Sequence, residues 1–574
     1  MLNDIEIKKI FLSKKILNEK QIKKAEEDSI KEKVLLGDYI LNKNLVSEKV
    51  FFDVIANYFN IPFVDLKNII IRKDILFLIP EPIAKAHEIV AFDQNNDFLF
   101  VATLDPLDLQ TFEFIKKKIN KNLKIHLTDP KSIQEALRQY HKSLEAEFKE
   151  LTEPEKEATG DKDLKELAED LPVIRIVDTL LEYAIFEGAS DIHIEPTERN
   201  VVVRYRIDGI LRDVMTLPKT VQAGVVARIK VLSNLKIDEH RLPQDGRFKI
   251  HTEQYKIAFR VSIIPVYDGE KVVLRLLNES SKTLSLEQLG LERTALEIIK
   301  TNIKKPHGMI LVTGPTGSGK TTTLYTIMNI LNTPEVNIST VEDPIEYRMP
   351  RINQSQVNPK INFTFANGLR SLLRQDPNII MVGEIRDQET AEIAINAAMT
   401  GHLVMSTVHT NDVATTPQRL INMGVPSFLV ATTTIVIMAQ RLARKICQNC
   451  LVSYNLDKAL IEEINKNFNV PEVLKMMNRE GVIAKDLKNL ETLLFYKGKG
   501  CKQCNNQGYK GRIGLYEILE ITPKIADLIT REAHASELQK AAVEQGMLTM
   551  LQDGFIKAKN AVTTLEEVLR VTKE

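Results

Sequence analysis

Gly314-Pro315-Thr316-Gly317-Ser318-Gly319-Lys320-Thr321 is the stretch on which the fold turns. It fills every fixed position of the eight-residue phosphate-binding loop, Gly-x-x-x-x-Gly-Lys-Thr/Ser. The apolar run 309–313 before it reads as a buried strand, and residues 321–328 after it read as a helix. Phosphate chemistry needs this order. Glycines let backbone N–H groups close on phosphate, the helix N-terminus adds partial positive charge, and Lys320 reaches the β- and γ-phosphates. Thr321 offers a hydroxyl to Mg2+, and Thr322 completes the candidate nucleotide-binding set.

Two apolar strands downstream end in acids, as a phosphate loop requires of a metal- and water-handling partner. One is Ile338-Ser-Thr-Val-Glu342-Asp343-Pro-Ile-Glu346; the other is Asn378-Ile-Ile-Met-Val-Gly-Glu384-Ile-Arg-Asp. Any one of these carboxylates alone reads equally well as a solvated loop residue. A third apolar run, Gly401 to Asn411, is bracketed by His402 and His409, which beside a phosphate loop suggests phosphate sensing or positioning. The strand–helix alternation over residues 305–440 predicts a doubly wound α/β domain.

All four cysteines fall in two Cys-x-x-Cys pairs, Cys447/Cys450 and Cys501/Cys504. Such pairs set two thiolates on one edge of a metal tetrahedron, with two disulfides or a redox pair as the alternative. The wide gap between the pairs adds only about 1 kcal/mol of loop closure over a 17-residue spacing, small against the roughly 10–16 kcal/mol of a structural zinc site.

The 574 residues require several cores. Hydrophobic residues at 44% and charged residues at 27% indicate a globular chain. Seventy-seven basic against seventy-seven acidic side chains exclude a whole-molecule polyanion-binding field, and four cysteines exclude a disulfide-built scaffold. The charged start and the absence of a long apolar run predict no signal peptide and no transmembrane segment, hence a cytoplasmic protein. The expected domains are an N-terminal module at 1–144, an acidic linker at 145–170, an α+β domain at 171–283, a doubly wound phosphate-loop domain at 284–440, a tetracysteine insert at 441–515 and a helical region at 516–574. The linker carries eleven acidic and four basic residues. Apolar spacing through Ile16, Ile22 and Ala25, and through Val50, Phe51, Ile55 and Phe59, predicts helices in the first module.

With these residues in view, the chain resembles the secretion-superfamily ATPases of type IV pili and type II secretion. The resemblance rests on the phosphate loop, on Val-Glu-Asp-Pro-Ile-Glu (341–346), on Met-Val-Gly-Glu-Ile-Arg-Asp (381–387) and on the Gly401–Asn411 segment. Upstream it is carried by Ala-Ser-Asp-Ile-His-Ile-Glu-Pro (189–196), Pro-Gln-Asp-Gly-Arg (243–247) and Gly-Glu-Lys-Val-Val-Leu-Arg-Leu-Leu (269–277). It implies a multidomain α/β protein: a RecA-like ATPase domain preceded by a PAS-like α+β domain and an N-terminal docking domain. It implies a homohexamer using ATP and Mg2+, with Glu346 as general base or water-positioning residue and Glu384 acting on Mg2+ and water. Arg260 and Arg275 match arginines that the preceding domain offers to the phosphates of a neighbouring chain, and Arg370 and Arg374 match two more; each alone reads as a surface ion pair. The resemblance also favours Zn2+ on the four cysteines. It implies a cytoplasmic motor held at the inner membrane by a platform protein; no direct nucleic-acid partner is expected, because the net charge is zero and aromatic and basic residues do not interleave. Chain length and the acidic linker are similar to the pilus-extension branch. Type II secretion is the alternative, and a DNA-uptake motor or a non-hydrolysing regulator are further ones.

In some relatives the N-terminal domain binds cyclic di-GMP through paired motifs that begin with a cation before Leu-Gly and carry a second glycine. Here Leu35 stands at the cation position and Asn44 at the second glycine, while the other copy, Phe11 to Ala25, has no glycine. Losing a charge-assisted phosphate contact costs roughly 1.5–3 kcal/mol. No physiological cyclic di-GMP binding is therefore expected.

Overall fold

The computed structural model describes residues 4–14, 16–32, 36–43, 45–67, 69–140, 170–251, 256–278, 284–467, 470–483, 493–501, 504 and 506–572. The acidic segment 145–170, apart from Asp170, lies outside the described residues, as do Leu35 and Asn44. The chain divides into two units, Met1–Leu276 and Leu277–Glu574. Among the described residues, no helix is long and apolar enough to cross a membrane.

The first unit begins with four helices, Asp4–Ser13, Glu19–Glu32, Leu36–Asn42 and Glu48–Phe59. They close on a core that includes Ile7, Phe11, Ile22, Ile40 and Phe51. The apolar spacing through Ile16, Ile22 and Ala25 straddles a turn, not one helix. Asn18 and Gln21 exchange backbone-to-side-chain hydrogen bonds of 2.9 Å, a reciprocal cap that starts a new helix and leaves Ile16 in the turn. A second core follows, around the sheet of β1 (Ile89–Gln94), β2 (Phe98–Thr103) and β3 (Asn122–Leu127). β1 runs antiparallel and β3 parallel to β2. The single module expected at 1–144 thus holds two cores, and Leu127 of β3 packs into the helical one.

The rest of the first unit is α+β, as alternation predicts. Helix Leu171–Phe186 leads into β4 (Asp191–Pro196), β5 (Asn200–Ile207) and β6 (Ile210–Pro218). Helix Gln222–Leu232 then precedes β7 (Gln244–His251), β8 (Lys256–Val266) and β9 (Gly269–Asn278). The strands line up as β6-β5-β4-β9-β8-β7. Asp208 and Gly209 both take positive φ, 49° and 87°, the backbone a tight β5–β6 hairpin requires. Alternate residues (Phe259, Val261 and Ile263 on β8, Val272 and Leu274 on β9) join the two helices in one core, so the other face stays open.

The second unit is built on β10 (Gly308–Thr313), β11 (Ile338–Glu342), β12 (Ile352–Gln356), β13 (Ile379–Val382), β14 (Leu403–Val408), β15 (Thr434–Ile446) and β18 (Tyr509–Glu520), with β16 (Leu451–Asn455) and β17 (Leu494–Gly498) in a separate hairpin. The seven-stranded sheet runs β12-β11-β13-β14-β10-β15-β18, parallel except for β18. Met309 and Leu311 enter the core on one face, and Ile310 and Val312 the core on the other. A strand buried on both faces has no polar side, which is why 309–313 reads as an unbroken apolar run.

The boundaries expected at 440 and 516 fall inside β15 and β18. These strands pair from Val436↔Glu520 to Ile446↔Tyr509, so only residues 447–508 leave the sheet. The C-terminal helices are not a separate region either. Val568 and Val571 belong to a sheet core, and Phe555, Leu565 and Leu569 pack with Ile464, Met477 and Phe495 of the excursion.

Candidate nucleotide site and tetracysteine cluster

β10 lies between β14 and β15, and its C-terminal end delivers Thr313 into the phosphate loop. Gly314, Gly317 and Gly319 take φ of 142°, 81° and 88°, values side-chain-bearing residues rarely adopt. A Cβ at Gly314 would come within 2.5 Å of the Gln440 carbonyl oxygen. Pro315, Thr316 and Gly317 form the exposed crest, while Ser318 is buried beneath it. Helix Lys320–Leu331 starts at once, with Thr321 half-buried and Thr322 exposed at its mouth. Lys320 Nζ folds back to donate to the Gly314 and Pro315 carbonyls, at 2.8 and 3.1 Å. Burial lowers its pKa, Arg441 pushes the same way, and the charge of Glu384 opposes both. The loop is therefore a cradle of backbone donors with its cation folded over it, which fits a nucleotide polyphosphate.

Parallel register brings other groups to this edge. Thr313 pairs with Val408 on β14 and with Ala439 on β15. His409 thus emerges near the loop, and its Nε2 lies 3.1 Å from Glu384 Oε2. Glu384, 8% exposed, follows β13 and also meets Arg386 at 2.5 Å. The Glu384 carboxylate and the Thr321 hydroxyl are hard oxygen donors of the kind Mg2+ takes. Thr410 bonds to Thr313 through both hydroxyl and backbone.

Gln440 and Arg441, which motif reading passes over, also stand here. Gln440, 1% exposed, donates to the Ser318 carbonyl at 2.5 Å and accepts from Thr323 Oγ1 at 2.8 Å, tying the loop to its own helix. The signal available was a Gln-Arg pair ending the apolar run 434–439.

Other expected residues fall elsewhere. His402 precedes β14, and its carbonyl accepts from Gly308 N at the far end of β10. Five strand residues at about 3.3 Å each separate that end from the phosphate loop, roughly 17 Å. His402 is therefore not beside this chain's phosphate loop, and its Nδ1 sits 2.9 Å from the Ala397 carbonyl after a helix. Glu342, 2% exposed, points into the core, where burial raises its pKa while Thr340, Tyr325 and Gln354 donate to it. It does not line the cradle. Asp343 is exposed and Glu346 half-buried on the following loop. Arg370 pairs with Glu389 at 2.6 Å, and Arg374 donates to the Arg370 carbonyl, both on the surface. Arg260 and Arg275 both stand exposed on the open face of the first unit's sheet. Arg275 Nε lies 3.0 Å from Asp191, which also meets Arg206 at 3.4 Å.

The four cysteines converge. Sγ separations are 3.7 Å for Cys447–Cys501, 3.8 Å for Cys450–Cys504 and 3.7 Å for Cys501–Cys504. A disulfide needs about 2.05 Å. A tetrahedron with metal–sulfur bonds of about 2.3 Å has edges near 3.8 Å, so the thiols fit Zn2+. Burial would raise the Cys504 thiol, but N–H groups of Cys501 and Gly508 donate to its sulfur at 3.2 Å and bring it down to about 7.

Residues 59–147 match the MshEN domain. The type IV pilus assembly ATPase PilB of Myxococcus xanthus is 38% identical over 571 residues, covering 98% of this chain and 97% of the relative. The type II secretion system ATPase E of Vibrio cholerae is 39% identical over 498 residues, covering 84% and 95%. The structure of the Yersinia pseudotuberculosis ATPase DotB superposes with a TM-score of 0.50 at 22% identity, over 70% of this chain and 93% of that one. Residues 166–570, which hold the phosphate loop, its acidic strand ends and the cysteine cluster, match one family throughout, and the chain belongs to that family, the type II/IV secretion system proteins.

Proposed function

We propose that the chain is a ring-forming ATPase whose hydrolysis of ATP drives type IV pilus assembly through an inner-membrane platform protein. The observation that carries the pilus reading is coverage: the pilus-assembly relative matches along nearly the whole chain, N-terminal module included, and the secretion relative over less of it. Type II secretion remains the second reading, because the Vibrio cholerae secretion ATPase still matches 84% of the chain at 39% identity and residues 166–570 match the type II/IV secretion system family.

Backbone N–H groups of residues 314–319 and Lys320 hold the phosphates, and Glu346 orients water and accepts its proton. Thr321 and Glu384 would hold Mg2+, which would supply positive charge against the terminal phosphates. His409 orients Glu384, with which it is already in contact. Arg260 and Arg275 serve the site of a neighbouring chain in a hexamer, where an arginine can contribute about 10³–10⁵ in rate. Zn2+ on the four cysteines is structural, since four thiolates leave no open position. The six-stranded domain with two helices on one face fits the PAS-like description. The N-terminal module docks the platform and does not bind cyclic di-GMP. One fact supports the last point: Gly37 is taken up by packing, with a Cβ there falling 2.6 Å from Ile7.

Two variants test the motor. Lys320→Ala should lose ATP binding, whereas Glu346→Gln should bind ATP normally and hydrolyse it at least about 100-fold more slowly. Introduced into the source strain, Glu346→Gln should abolish surface pili and leave protein secretion intact. Lost secretion with normal piliation would transfer the chain to type II secretion.

A further inference from the structure

Tyr325 stands behind the phosphate loop with no exposed surface, on the helix that begins with Lys320 and Thr321. Its hydroxyl is a junction. It donates to Glu342, the last residue of β11, and it accepts from Gln354 Nε2 at 3.3 Å. Glu342 also accepts from Thr340 Oγ1 at 2.5 Å and from Gln354 Nε2 at 3.2 Å. Gln354, on β12, then reaches past Glu346: it donates to the Tyr347 carbonyl at 3.1 Å and accepts from Met349 N at 2.8 Å. The Tyr347 ring meets the Tyr325 ring edge-on, with centroids 4.7 Å apart.

A carboxylate this deeply buried is costly to keep, and an apolar core would hold β11 against the helix at least as well. What an apolar core could not do is grip backbone atoms of the residues around Glu346 and tie them to the helix that carries Lys320. We propose that Tyr325, Glu342 and Gln354 are positioning residues, which touch no nucleotide and set the distance between the Glu346 loop and the phosphate cradle. The proposal rests on the reading of Glu346 as the water-orienting base. The Glu346 carboxylate must meet water in line with the terminal phosphate, and a displacement of 1 Å can cost about 100-fold in rate.

The test uses the full chain, MgATP and three readouts: single-turnover rate, steady-state kcat and KM, and melting temperature. Tyr325→Phe keeps the ring and removes the junction. It should lower kcat about 10- to 100-fold while KM stays within about 3-fold. In a Glu346→Gln background the same change should cost almost nothing further, because there is no base left to misplace. Gln354→Met should give a smaller loss of the same kind, and it carries the comparison if Tyr325→Phe fails to fold. Wild-type kcat in the folded variants, or an undiminished loss on top of Glu346→Gln, overturns the network. Wild-type turnover by Glu346→Gln alone overturns instead the base assignment on which the network depends.

Discussion

At the residue scale, the phosphate loop depends on a side chain far away in sequence. The Gln440 backbone carbonyl fills the space beside Gly314 and its side-chain amide the space beside Gly319, and that amide serves the Ser318 carbonyl and the Thr323 hydroxyl together. Both glycine Cβ positions would meet Gln440, so the loop's glycines answer to this contact as well as to phosphate. Leaving a buried carbonyl without its donor costs about 1–3 kcal/mol. Gln440→Leu is therefore expected to weaken MgATP binding about 10-fold or more, and to lower the melting temperature, while Gln440→Glu keeps only the Thr323 bond if it ionises. Titration with a fluorescent ATP analogue checks this; unchanged affinity in Gln440→Leu would mean the loop holds its shape unaided.

At the element scale, strand direction separates residues that look equivalent in sequence. His402 and His409 flank one strand, yet β14 carries them to opposite ends of the sheet, and only His409 meets Glu384. β15 does something similar over a longer span, running from beside the phosphate loop at Gln440 to Ile446, next to Cys447 of the cysteine cluster. The excursion 447–508 starts and ends on paired strands, so its cysteines are anchored on both sides before any metal binds. Elemental analysis of the purified chain should find about one zinc per chain. Cys501→Ser should lose it and make residues 447–508 protease-sensitive, while the ATP analogue still binds, because structural zinc contributes roughly 10–16 kcal/mol locally. Full activity and unaltered proteolysis in a metal-free preparation would remove zinc from the account.

At the scale of the whole molecule, the two units hold complementary halves of the proposed chemistry. The cradle lies in the second, and Arg260 and Arg275 lie on an open sheet face of the first. If the arginines act on a neighbouring chain, Arg260→Ala mixed with Lys320→Ala should regain ATPase activity that neither has alone, since some sites in a mixed ring pair an intact Lys320 with an intact Arg260. No recovery at any ratio, in rings shown by mass spectrometry to be mixed, would count against action between chains. Calorimetric titration of the full chain with cyclic di-GMP should show no binding at micromolar concentrations, and a micromolar or tighter dissociation constant would reverse the reading of the N-terminal module.

The sequence by itself determined the phosphate loop, the strands leading to it, the acidic strand ends and the four-thiol set. Each is a local pattern: a contiguous motif, an apolar run buried on both faces, or a pair of thiols three residues apart. Tertiary structure decided everything that depends on register between distant strands. It placed Gln440 under the loop, moved His402 away from it and turned Glu342 inward. It also merged β15, β18 and the C-terminal helices into the ATPase core, although the cysteine pairs suggested a break there. The physical reason is that a side chain's role at a strand end is set by which neighbour ends beside it, and the order β14-β10-β15-β18 is written in pairing between residues far apart in the chain, such as Gly308 with Leu403, Met309 with Thr434 and Val436 with Glu520.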